Sequence, residues 1–157
     1  MAITNQDRVG KAMDLLRQGL APFVDREVQE KVRIGAVNMD TVRRFSEDPT
    51  LAKRPIPDWD IAALLKLMVA AWRDVFGTTL GRSDLSLAQE LRDWRNKWAH
   101  QERFTSRDAE RALDSASRLP TAISAPQAEE IDKIMLELRR LTFEEQSATR
   151  RRRSAAR

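Results

Sequence analysis

The chain has 157 residues, 33% of them charged and 41% hydrophobic, and it contains no cysteine. That length suits one domain with its own core, and the missing thiols exclude a disulfide-stapled fold, a thiolate metal site and a thiol nucleophile. A net charge of +4 and a pI near 9.9 invite a nucleic-acid reading, but five of the 28 basic residues lie in 150–157, leaving 23 against 24 acidic residues and a body of net charge −1.

The opening residues Met1 to Arg8 lack the features of a signal peptide, and the most apolar stretch, Ile61 to Val75, is interrupted by Lys66, Arg73 and Asp74. A cytoplasmic chain with no membrane span is therefore expected. No stretch alternates as a strand would, and apolar residues recur at helical spacing. Thr4 followed by Asp7 predicts a capped helix start, with Val9, Met13, Leu16 and Leu20 on one face. Pro22 is placed to open a second helical segment reaching Val32. Gly35 to Pro57 reads as a long connection with a short helix around Asp40–Phe45.

Asp58 and Asp60 cap the strongest helix, whose apolar positions run from Ile61 to Phe76 before Gly77 stops it. Ser83 or Asp84 caps the next, which carries Leu87, Leu91, Trp94 and Trp98. Thr105 with Asp108 caps another through Leu119, and Ser124, with Pro126 just inside, opens the last. The expected architecture is an all-α bundle of five to six helices without a sheet, spanning 1–146, with 147–157 as an arginine-rich tail or linker.

The only histidine, His100, closes the run Arg95-Asn96-Lys97-Trp98-Ala99-His100. On a helix, Leu87, Leu91, Trp94 and Trp98 form a stripe of roughly 60°. Asn96 and His100 lie one turn apart on the opposite side, with Arg92 beside them and Arg95 on the flank. An imidazole exchanges protons near neutral pH, and a guanidinium binds phosphate through its planar fork. An asparagine one turn earlier can fix the ring or the phosphate. These groups suit attack of a ribose 2′-OH on the adjacent phosphate without a metal, a reaction open to RNA and closed to DNA. A histidine near a helix C-terminus is also favoured by the dipole with no chemistry attached.

The run R-N-K-W-A-H resembles the Arg-x4–6-His signature of the HEPN superfamily. The blocks D-R-V-G-K-A-M-D-L-L-R-Q-G-L-A-P-F-V, D-W-D-I-A-A-L-L-K-L-M and R-A-L-D-S-A-S-R-L resemble one HEPN subgroup over about residues 4–141. That subgroup is found at the N-terminus of large bacterial proteins with ATPase or helicase modules, many linked to phage defence. The resemblance implies a helical homodimer with the two motifs facing across a shared cleft. It also implies metal-independent endoribonuclease activity leaving a 2′,3′-cyclic phosphate and a 5′-hydroxyl. Arg95 would then stabilise the transition state, Asn96 would orient the histidine or phosphate, and His100 would be the acid/base group, with Arg92 and Lys97 contacting RNA. No cofactor or metal is implied. Some HEPN toxins carry a tyrosine two residues past the histidine, modified by their antitoxin; Glu102 stands there instead.

The other features have plainer readings. The arginine run could touch RNA phosphates or be a solvated linker. Trp72, Trp94 and Trp98 sit on apolar stripes and are expected in the core, leaving Trp59 open for base stacking. The runner-up function is a non-catalytic dimerisation or RNA- or nucleotide-recognition module of a larger ATPase-containing protein. A DNA-binding bundle is a third reading, which the body charge opposes.

Overall fold

Helices account for every regular element among residues 2–156, the residues that the computed structural model describes. Helix α1 spans Asn5–Arg33. The Thr4 hydroxyl accepts from the Asp7 amide at 3.0 Å, and the Asp7 carboxylate accepts from the Thr4 amide at 3.1 Å. This is the reciprocal cap that the spacing predicts. Val9, Met13, Leu16 and Leu20 are all buried.

Pro22 does not open a second helix; it lies inside α1. Its ring removes the amide that would bond the Gln18 carbonyl, but both residues are exposed, so water can serve that carbonyl. Leu20, Ala21, Phe23 and Val24 are buried around it. Each such burial contributes about 1.5–3 kcal/mol for a large side chain, which carries the helix through the defect.

The expected connection contains α2 (Met39–Arg44), α3 (Pro49–Ala52) and a 3-10 turn at Ile56–Asp58. Trp59 follows and is fully buried rather than open, its indole N–H donating to the Arg54 carbonyl at 3.2 Å. It precedes the cap Asp60 and occupies the staple position opposite Leu64, also fully buried, which draws the ring inward.

Helix α4 spans Ile61–Ala70 and does not continue to Phe76 as expected. A π turn at Trp72–Phe76 follows, in which the Gly77 amide reaches back five residues to the Trp72 carbonyl at 2.7 Å. The wider turn rotates less per residue, returning Val75 and Phe76 to the buried side after the drift of a straight helix. A Cβ on Gly77 would lie 3.0 Å from that carbonyl, so glycine permits the close approach.

Helix α5 is Arg82–Ala99, α6 is Ser106–Ala122 and α7 is Gln127–Ala155. Gly81, not Ser83 or Asp84, is the cap of α5; Asp84 acts one turn in, accepting from the Gly81 amide at 2.9 Å. Thr105 caps α6 as expected. Ser124 does not open α7. It stands at φ 58, closing α6 through bonds from Ser124 and Ala125 amides to the Thr121 and Pro120 carbonyls, and Pro126 takes the cap position.

α1 packs against α4, α5, α6 and α7, and α6 packs between α5 and α7. Helix α7 runs unbroken past residue 147, with residues 149–156 exposed and Leu136 and Phe143 facing outward. Among the described residues, no helix is long and apolar enough to cross a membrane.

Candidate active site

The sequence stripe places α5 nearly correctly but not its innermost line. Only Ala88 and Leu91 are fully buried, while Leu87, Trp94 and Trp98 are partly buried. Arg95 follows Ala88 and Leu91 at i+7 and is partly buried, its Nε wholly so. The face toward α6 carries Glu90, Trp94 and Lys97, and Asn96 and His100 are exposed.

Arg92, Arg95 and Asn96 line one cleft of about 320 Å³, facing Asp60 and Lys66 of α4 and its cap and Asp48 ahead of α3. The Arg95 Nε is buried and has no hydrogen-bond partner among the described residues. Leaving such a donor unpaired is costly. Arg95 thus brings to the cleft wall a guanidinium whose buried Nε has no protein acceptor among the described residues, beside the cations Arg92 and Lys66.

Its carboxylates are occupied. Asp48 accepts from the Thr50 amide at 2.9 Å and the Leu51 amide at 3.2 Å, and Asp60 from the Ala63 amide at 2.9 Å, each capping a helix. At the mouth, Glu47 pairs with Lys66. The Lys66 ammonium, with a smaller contribution from Arg92, holds the Glu47 carboxyl below its ordinary range.

His100 stands at the C-cap of α5, outside the lining of this cleft. Its amide bonds the Asn96 carbonyl at 3.0 Å, but no side-chain hydrogen bond joins it to Asn96 among the described residues. Gln101 follows at φ 55, and the Glu102 amide closes back on the Lys97 carbonyl at 3.1 Å. Helix α1 anchors this end of α5. The Gln6 side chain donates to the Trp98 carbonyl at 2.8 Å, and the Trp98 indole donates to the Gln6 carbonyl at 3.2 Å. Gly10 lets the ring approach, since a Cβ there would lie 3.0 Å from the indole nitrogen.

Lys97 points away from the cleft. Its ammonium pairs with Asp108 at 3.2 Å and lies 5.3 Å from the Phe104 ring centroid and 5.9 Å from that of Trp94. That ammonium, helped by the Thr105 cap, holds the Asp108 carboxyl below its usual range. The structure therefore brings Arg92, Arg95 and Asn96 together, sets His100 one turn beyond them, and turns Lys97 toward α6.

Two groups carry no site signal in the sequence. Lys66 is the only charge within α4 and reads there simply as a break in an apolar stretch. Glu90 is the hub between α5 and α6. It receives Arg111 through both carboxylate oxygens at 2.8 and 3.3 Å, Trp94 at 3.1 Å, and the Ser115 hydroxyl. Arg111 first, then the Ser115 and Trp94 donors, lower its carboxyl to about 2 against the opposing effect of burial.

The model of the Swt1-like HEPN family matches residues 11–124, from the second turn of α1 to just past α6, with Arg95, Asn96 and His100 inside the match. No curated protein and no solved structure matches the chain.

Proposed function

The chain belongs to the Swt1-like HEPN family, and on that premise we propose that it is a metal-independent endoribonuclease domain acting in phage defence or stress. The observation that carries the reading is the buried, unpartnered Nε of Arg95 in a cleft shared with Arg92 and Asn96, one helical turn before the exposed His100. A phosphodiester supplies the acceptors that this guanidinium lacks. As the 2′-oxygen attacks phosphorus, negative charge grows on the phosphoryl oxygens, where Arg95 offsets it. The attacking hydroxyl loses its proton and the 5′-oxygen gains one, giving a 2′,3′-cyclic phosphate and a 5′-hydroxyl.

One imidazole cannot be base and acid in the same transfer. A homodimer supplies a second His100 across a composite cleft, one taking the proton and the other giving it. The outward placement of Asn96 and His100 supports that arrangement. Arg92 contributes a phosphate contact at the rim. Lys97 is engaged by Asp108, and its contact with RNA would require it to leave that pair. A linked or associated ATPase or helicase module would control access.

The second reading is a non-catalytic dimerisation or RNA- or nucleotide-recognition module of a larger ATPase-containing protein. It is favoured by His100, which lies outside the cleft lining and has no side-chain hydrogen bond among the described residues. Single-stranded RNA incubated in EDTA with wild type, Arg95→Ala and His100→Ala separates the two. Cleavage by the wild type alone is expected, with products ending in cyclic phosphate. Equal cleavage by all three proteins would sink the catalytic reading, and tight binding without turnover would favour the second.

A further inference from the structure

Lys66 is a cation of the cleft to which the proposed reaction assigns no role. It faces Arg92 and Arg95 from α4, and its side chain is 27% exposed, whereas that of its partner Glu47 is 72% exposed. The two aspartates lining the cavity are fixed as helix caps. Glu47 caps nothing. It sits at φ 55 in the turn between α2 and α3, and its carboxylate has no partner but Lys66 among the described residues.

We propose that Lys66 binds a phosphate flanking the scissile bond, and that Glu47 occupies the lysine as an internal stand-in until single-stranded RNA displaces it. This rests on the reading of the cleft as an RNA site. Arg95 marks the inner position by its unpartnered Nε, Arg92 lies beside it, and Lys66 forms the facing wall. Cleavage concerns one phosphate, so a cation on the opposite wall serves a neighbour and acts on binding. A lysine–glutamate pair whose carboxylate is exposed is weak and screened by salt. An RNA strand gains from counterion release when it takes the lysine over, so the exchange favours RNA. Glu47 in turn makes the empty cleft less attractive to small anions, which cannot recover the cost of breaking the pair.

The test measures affinity for a fluorescent single-stranded oligonucleotide, 2′-O-methylated so that it cannot be cleaved, over a series of salt concentrations. Lys66→Met should weaken binding about tenfold, and the slope of log affinity against log salt should shrink by about 0.7, the value of one phosphate contact on a single strand. Lys66→Arg should restore both. Glu47→Gln should tighten binding about threefold. On cleavable RNA, Lys66→Met should raise KM and leave kcat within about twofold. Unchanged affinity and slope in Lys66→Met, or weaker binding in Glu47→Gln, would overturn the proposal while His100-dependent cleavage by the wild type kept the catalytic reading intact. Wild type that binds with these effects and never cleaves would do the reverse. Circular dichroism melts of each variant check that unfolding is not the cause.

Discussion

Replacing Glu90 by glutamine should flatten the acid side of the stability profile. The carboxyl is lowered from its ordinary 4.5 to about 2 in the folded protein. At about 1.36 kcal/mol per unit this sets a ceiling of roughly 3 kcal/mol of stability. The side chain is 28% exposed, so solvent screening reduces the share to about 1–2 kcal/mol. A depressed carboxyl stabilises the fold above the unfolded-state value near 4.5, and the contribution fades as pH falls from there toward 2. Urea unfolding at about pH 7 and about pH 3 gives the comparison. The loss between the two should be smaller in Glu90→Gln by about 1 kcal/mol, while at neutral pH the variant is itself less stable because Arg111 loses its charged partner. An identical loss in both proteins would refute the assignment of Glu90 as the hub joining α5 to α6.

Two other outcomes are expected. Ser124→Gly should raise stability by about 0.5–1 kcal/mol in thermal melts, because the residue is exposed and stands at φ 58, where glycine relieves left-handed strain; a lower Tm would contradict the cap geometry. Gly10→Ala sets a helix-propensity gain of about 1 kcal/mol against a contact with the Trp98 indole. Tm should therefore move little while the tryptophan emission shifts and cleavage falls, since the last turn of α5 must give way. An unchanged spectrum with full activity would show that the Gln6–Trp98 bonds do not position His100.

Local signals were legible where one segment decides its own structure. Thr4 with Asp7 and Thr105 with Asp108 bond within four residues, and both caps form as their spacing predicts. Prediction failed where a distant surface decides. Pro22 reads as a start, but apolar packing on both sides of it keeps α1 continuous. Trp59 reads as open at a helix start, yet it is fully buried, at the staple position opposite Leu64 and with its indole N–H on the Arg54 carbonyl. At the site, Arg95, Asn96 and His100 are visible as a motif, and Arg92 by its place on the wheel. Lys66 and Glu47 are joined only by the folding of the α2–α3 region against α4, and no periodicity links positions so related. Lys97 shows the limit of charge as a guide, since its partner Asp108 lies across on the next helix.

Helix α7 gives the arginine run a geometry that composition alone conceals. Arg150 to Arg153 are exposed and helical. At 100° per residue, four consecutive side chains circle the axis completely. They form a collar instead of a patch. A flexible segment would smear the same charge through a cloud of positions; the helix holds it at one distance from the bundle and leaves its direction unspecified. A polyanion arriving from any azimuth would meet one of the four, so such a collar attracts negative charge without orienting it. On the proposed reading, aligning RNA falls to the cleft lined by residues between Ser46 and Asn96.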